Sequence, residues 1–273
     1  MRRNKLVDLI SPLWTRKKQL QRKPVVYQMG KVASTSTSKA IKSAGLPCYH
    51  IHTLDRQRII DHAKYHLDSD RSPPKHLLTA MSKRNSLFLK THECVYITLV
   101  RDPVARNLSA FFQNLDRITE KERAETDPRK MLETFLRAYE HSEPIEWFDR
   151  EFKDQLGFDI FSSPFNIEKK YAYLDDFNTI IFRTDCPDKV KSRVLSEVLK
   201  RDVVVGQENV SAKKAYSQIY KAMQNISFPS EYLESMYSTK FSRHFWSPAE
   251  LNDFRRFWSE PKDPKITESS VEW

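Results

Sequence analysis

Pro24-Val25-Val26-Tyr27-Gln28-Met29-Gly30-Lys31-Val32-Ala33-Ser34-Thr35-Ser36-Thr37 runs from a short apolar segment, through a break at Gly30, into a hydroxyl-rich segment. Pro24–Gln28 reads as a buried strand that begins at a proline. From Ser34 the spacing turns helical, with Thr37, Ala40, Ile41 and Ala44 on one face and Gly45 where a C-terminal cap belongs. A strand, a tight turn and a helix start present free backbone amides and the positive end of a helix dipole to one point, a site suited to an anion. Lys31 adds a point charge, and Ser34, Thr35 and Ser36 add hydroxyls. The pattern GxxxxGK[ST] is absent, because the lysine precedes the hydroxyls and no second glycine stands before it. Taken alone, such a hydroxyl run can also be an ordinary helix cap.

A second unit of the same kind lies further along. Tyr96–Val100 reads as a strand, and Arg101-Asp102-Pro103 follows it, with Asp102 as cap and Pro103 at the first helical position. The helix carries Val104, Leu108, Phe111, Phe112 and Leu115 as its apolar stripe, with Ser109 two turns in, while Arg106 reads as a solvated position. An arginine at the carboxyl end of a strand stands where open α/β sheets bind ligands, and its planar fork suits a phosphate. Further strands are expected at Cys48–Leu54, Leu87–His92 and Thr179–Arg183. Helices are expected at 55–67, Lys189–Leu199, Ala212–Met223 and Ala249–Trp258, and residues 116–170, with 10 basic and 14 acidic side chains, read as a helical insertion. Strands alternating with helices predict a three-layer α/β domain over 24–273, with a mostly parallel sheet and a helical C-terminal third.

Composition sets the outer bounds. The 273 residues carry a formal net charge of +10, with 46 Lys+Arg against 36 Asp+Glu, and residues 1–23 alone hold eight basic residues and one acid. The excess therefore belongs to an arm, read as partly disordered, rather than to the domain, and nucleic acid is not the expected partner. Leu6, Leu9, Ile10, Leu13 and Trp14 at helical spacing leave peripheral membrane contact open for that arm. No run of about 18 apolar residues exists and the N-terminus lacks the apolar centre of a secretory signal, so a cytoplasmic protein is expected, with contact at the inner membrane face an option. Cys48, Cys94 and Cys186 are too scattered for a disulfide framework or a four-ligand zinc site.

The two loops together resemble the sulfotransferases that use 3′-phosphoadenosine-5′-phosphosulfate (PAPS), and the first looks closest to that of carbohydrate 2-O-sulfotransferases. The wider pattern, Gln28–Thr35, Leu99–Asn114 and Phe241–Ser247, is similar to a bacterial family described as capsular polysaccharide synthesis proteins, over about Val25 to Trp258. The resemblance implies a P-loop-like sulfotransferase fold and these roles. Gly30, Lys31, Ala33, Ser34, Thr35 and Ser36 hold the 5′-phosphosulfate, Arg101 and Ser109 hold the 3′-phosphate, and Lys31 also balances charge on the departing phosphate oxygen. No metal is implied, and the acceptor is a carbohydrate hydroxyl. His92, in a Lys90-Thr91-His92 strand, is the expected general base, with Glu93 as fallback; the short gap to the next strand counts against it. His50 and His52 share one strand face and read as hydrogen-bonded strand histidines rather than metal ligands. Arg243 is expected to reach a phosphate, with Phe245 or Trp246 stacking on adenine or, alternatively, anchoring a surface turn in the core. Two other functions remain open: a P-loop-like ATP-dependent kinase with Asp102 holding magnesium, and a non-catalytic nucleotide- or glycan-binding protein.

Overall fold

Lys23–Tyr27 forms strand β1, and its last four residues, Pro24–Tyr27, are buried. In the computed structural model, which describes residues 22–115, 127–206 and 217–260, β1 lies inside a five-stranded sheet of order β2-β1-β3-β5-β4. The basic arm expected over 1–23 lies outside the described residues except for Arg22 and Lys23. The chain runs from β1 through helix α1 (Ser34–Ser43) to β2 (Tyr49–Ile51), then through α2 (Arg56–Asp68) and α3 (Lys75–Leu89) to β3 (Cys94–Val100) on the far side of β1. Helix α4 (Pro103–Gln113) follows, then α5 (Pro128–Ala138) and α6 (Glu143–Phe148), which continues as a π turn at Asp149–Lys153 and one α turn at Asp154–Leu156. Strands β4 (Tyr171–Leu174) and β5 (Thr179–Arg183) complete the sheet. Helices α7 (Asp188–Leu199), α8 (Ser217–Gln224), α9 (Ser230–Tyr237), α10 (Lys240–Phe245) and α11 (Pro248–Ser259) follow.

β1 pairs in parallel with β2 and β3, β3 pairs in parallel with β5, and β4 runs antiparallel at the edge. All seven residues of β3 and all five of β5 are buried, as expected when helices cover both faces of a parallel sheet. The expected α/β class and mostly parallel sheet are therefore present. Because β2 and β3 flank β1 on opposite sides, the strand order reverses between β1 and β3, and the crevice beyond their carboxyl ends is where such sheets bind ligands.

Two strand assignments need correction. Leu87–Leu89 end α3, and Thr91–Glu93 is a 3-10 turn leading into β3, so no strand carries His92. The strand expected over Cys48–Leu54 is only Tyr49–Ile51. Residues 127–170 are mainly helical, as expected of the insertion, whereas 116–126 lie outside the described residues. Beneath the sheet Glu151, fully buried on the π turn, accepts bonds from Tyr27 Oη (2.6 Å), Thr53 Oγ1 (2.8 Å) and the Leu54 amide (2.8 Å). This carboxylate fastens β1 and the loop after β2 to the insertion. Arg150 Nε lies 3.2 Å from it and supplies its counter-charge. Cys48, Cys94 and Cys186 are buried and free.

Candidate functional site

The loop between β1 and α1 is shaped by two left-handed non-glycine residues, Lys31 (φ 72°) and Ala33 (φ 58°). Gly30 is not left-handed, so the expected role of glycine in breaking the strand passes to its successors. A Cβ at Gly30 would meet nothing within 4 Å, which leaves its face of the loop open. Left-handed residues spaced along a short turn gather amides into an anion-binding concavity, and strain of this kind clusters at binding sites. Ala33 is the N-cap of α1 and gives no side-chain cap, and the first turn contains no acid. The positive end of α1 thus stands without an intrinsic counter-charge.

Two arginines from the β3–α4 unit fix the orientation of this loop. Arg101 Nη1 donates to the Lys31 carbonyl (3.3 Å), and Arg106 Nε donates to the Gly30 carbonyl (3.0 Å). In a trans peptide the carbonyl and the following N–H point oppositely. Holding these two carbonyls toward α4 therefore turns the Lys31 and Val32 amides away from it. Arg106 is 5% exposed, which corrects its reading as a solvated position. Its Nη1 donates to Asn107 Oδ1 and Tyr139 Oη, both at 2.9 Å, and no carboxylate lies within ion-pair distance of Arg101 or Arg106 among the described residues. A buried guanidinium held only by neutral oxygens is costly unless an anion completes it.

The hydroxyls divide by partner. Ser34 Oγ lies 3.1 Å from His50 Nε2, and Ser36 Oγ donates to the Ala33 carbonyl at 2.9 Å, while Thr35 is exposed. Ser109 is half-exposed on α4, one turn beyond Ala105 on the same flank. The loop, Lys31, Ser34–Ser36 and Arg101 therefore meet at the switch point, with Ser109 on the helix that leads away from it.

Other expected residues stand elsewhere. His92 precedes β3, so a seven-residue strand of about 20 Å separates it from Arg101. That is the amino-terminal edge of the sheet, and Glu93 shares it. Arg243 is exposed on α10, whereas Phe245 (0%) and Trp246 (3%) are core residues, which overturns adenine stacking and favours the core-anchor reading. Asp102, the acid required by the kinase reading, is fully engaged. Its Oδ1 accepts from Tyr237 Oη (2.7 Å) and the Val104 amide (3.0 Å), and its Oδ2 from Trp258 Nε1 (2.9 Å). Burial pushes its carboxyl above the usual carboxylate range, against the pull of these bonds. It clamps the C-terminal helices to the start of α4, with both of its oxygens engaged.

Sequence reading missed the part played by His50, His52 and Gln28. His50 stands level with Val26 across the β1–β2 register, and His52 follows just past the end of β2. His52 Nδ1 bonds to the Gln28 carbonyl at 2.8 Å, which places its proton on Nδ1 and leaves Nε2 as the acceptor of the neutral ring. The His52 ring lies 4.9 Å from that of His50 and 4.2 Å from that of His76. Burial first, and then neighbouring charges, hold His50 down to about 4 and both His52 and His76 to about 3, so all three are neutral at pH 7. Arg106 is among the charges that depress His52. Gln28, at the end of β1, is wholly buried with neither amide atom of its side chain bonded. Its alternation with Tyr27 was the only sequence signal. Among the described residues no group of three or more His, Cys, Asp or Glu side chains is arranged to hold a metal ion, and no helix is long and apolar enough to cross a membrane.

A family model described as "Putative capsular polysaccharide synthesis protein" matches residues 131–247. Over those residues the chain is similar to that family. It covers less than half the chain and is narrower than the expected span of about Val25 to Trp258, taking in Phe241–Ser247 but neither anion-reading loop. No curated protein and no solved structure matches the chain significantly.

Proposed function

We propose that this protein is a sulfotransferase that moves a sulfuryl group from PAPS to a hydroxyl of a carbohydrate acceptor during capsular or surface polysaccharide synthesis. One observation carries the reading: two guanidiniums without carboxylate partners among the described residues grip the carbonyls of a strained loop at the uncapped start of α1. Cations and amides converging at a switch point suit a ligand that bears two separated phosphate-type anions. The residues present fit PAPS, which supplies an activated sulfuryl group and a phosphate leaving group when bound.

The chain's own contribution is positioning and electrostatics. The Lys31 and Val32 amides, Lys31, and the Ser34–Ser36 turn hold the phosphosulfate end, while Arg101 and Ser109 hold the 3′-phosphate. Lys31 answers the negative charge that grows on the leaving oxygen. Arg106 keeps the loop in its strained form from behind. Removal of the acceptor proton passes from His92 to the His50–His52 pair, which lies beside the loop with His52 Nε2 unprotonated. Negative charge brought to Arg106 offsets one of the smaller causes that depress His52, burial remaining the largest. Arg243, exposed on α10, keeps only an auxiliary part in phosphate contact. A soluble location, with the basic arm touching anionic membrane, suits these partners, and nucleic acid is not among them.

Thermal unfolding with 3′-phosphoadenosine-5′-phosphate (PAP), compared with ATP plus magnesium, tests the reading. At 100 times its dissociation constant PAP should stabilise the fold by about 2.7 kcal/mol, several degrees in Tm. A shift with ATP plus magnesium and none with PAP would overturn it.

A further inference from the structure

We infer that the outward face of α3 is a docking surface for an anionic lipid bilayer, engaged together with the basic N-terminal arm. This goes beyond the transfer reading and holds whether or not PAP binds. Among the described residues seven large hydrophobic side chains are exposed, and five of them, Ile60, Leu67, Leu78, Met81 and Leu89, belong to α2 and α3. Single scattered exposures are ordinary on a protein surface, whereas this concentration in two helices marks an interaction face. On α3, Leu78, Met81 and Leu89 recur at i, i+3 and i+11, within one narrow arc of the helix, with exposed Ser82 and Asn85 between them. They are 48%, 50% and 80% exposed. The opposite arc, Leu77, Ala80 and Leu87, is buried. Helix α3 therefore carries apolar side chains on two faces along about 22 Å, and the protein covers only one of them.

Charge decides what covers the outer face. Residues 56–90 hold eight basic side chains against three acids, and residues 1–23 hold eight against one, whereas the rest of the chain holds 30 against 32. Helix α3 contains Lys75, Lys83 and Arg84 and no acid, and none of the three pairs with a carboxylate among the described residues. Lys83 Nζ lies 5.8 Å from the centre of the Tyr49 ring, and Arg84 Nε donates to the Leu54 carbonyl. Lys90, just past the helix, has Glu93 at 3.8 Å. The arm joins the sheet at Lys23, level with Cys94, so it enters four residues in sequence from Lys90, at the carboxyl end of α3 where Leu89 is most exposed. Its Leu6, Leu9, Ile10, Leu13 and Trp14 stand at helical spacing among its cations. The arm is a poor cover for α3, because cations would face cations, and two copies meeting through α3 would repel in the same way. A partner that is apolar within and anionic at its boundary suits both elements at once, and a bilayer with acidic headgroups has that chemistry.

The test sediments the full chain with phosphatidylcholine vesicles and with vesicles containing one-quarter phosphatidylglycerol, and measures the mass of the lipid-free protein by light scattering. The wild type should bind the phosphatidylglycerol vesicles at least tenfold more tightly than the neutral ones, and salt should release it. L78E/L89E and K75E/K83E should each weaken that binding at least fivefold and melt at the wild-type temperature, since none of the four side chains is in the core. No binding of the wild type to phosphatidylglycerol vesicles, or binding unchanged in either variant, as when the arm acts alone, would overturn the α3 surface. Equal binding to neutral vesicles would overturn the anionic partner. A wild-type dimer in solution that L78E/L89E dissolves would assign the face to a second copy and overturn the lipid assignment.

Discussion

Arg183 stands level with Val100, one residue before Arg101, at the same carboxyl edge of neighbouring parallel strands, yet the surroundings of the two arginines are opposite. Arg183 ends β5 at 2% exposure, its Nη2 lies 2.7 Å from both Asp185 and Glu250, and its guanidinium faces the Trp246 ring at 5.5 Å. Arg101 follows β3, half-exposed, and donates only to a loop carbonyl. One cation is neutralised by the fold and pins the turn between α10 and α11 to the sheet. The other has no carboxylate partner among the described residues. Position at a strand's carboxyl end therefore does not by itself make an anion site; what distinguishes the two is that, among the described residues, no carboxylate pairs with Arg101.

The strongest way to break this contrast is Lys31→Ala. Loss of a preorganised donor to developing charge should lower kcat for sulfuryl transfer by about 10²–10³-fold, with Tm nearly unchanged. A variant that keeps its turnover would place the chemistry elsewhere. The arginine pair follows. Arg101→Ala should weaken PAP binding by roughly 10–100-fold, as expected for lost bonds to a charged group, and leave stability almost intact. Arg183→Ala should do the reverse, lowering stability by about 2–3 kcal/mol, at the low end for a broken buried pair because Asp185 and Glu250 are part-exposed, while folded protein keeps its PAP affinity. Calorimetric titration and thermal melts separate the two, and equal effects on both quantities would erase the distinction.

The smallest effect concerns pH. His50, His52 and His76 titrate lower in the fold than in the unfolded chain, so the unfolded state binds more protons as pH drops. Their contribution is present in full above about 6.5 and is lost as pH falls toward 4 and then 3. By pH 5.5 each ring should remove about 1 kcal/mol of stability. His76→Phe should recover its share in denaturant melts at pH 5.5 relative to pH 7. An unchanged acid sensitivity would mean that these rings are not held neutral by burial.

How much of this was legible in the sequence follows the strength of local punctuation. The strand–turn–helix at 24–37 and the Asp102-Pro103 cap were readable because turn and cap residues act on their nearest neighbours. Thr179–Arg183 stood out as an unbroken β-rich run. Leu87-Phe88-Leu89 misled because a short apolar run fits a helix end as well as a strand, and Leu89 proves to be 80% exposed. β4 went unread, being a four-residue edge strand of alternating burial. Arg106 gave no warning, since a helix arginine becomes a loop prop only when Gly30, far away in the chain, offers its carbonyl. The pairing of Ser34 with His50 likewise depends on β2 lying beside β1, which no local pattern encodes.

Backbone amide NMR during titration with PAP is the most direct measurement of where the nucleotide sits. Binding at the switch point predicts that the largest chemical-shift changes fall on Lys31 to Ser36 and on the Arg101 side chain, with residues around Arg183 little moved. Saturable PAP binding whose shifts cluster away from that loop would contradict the placement.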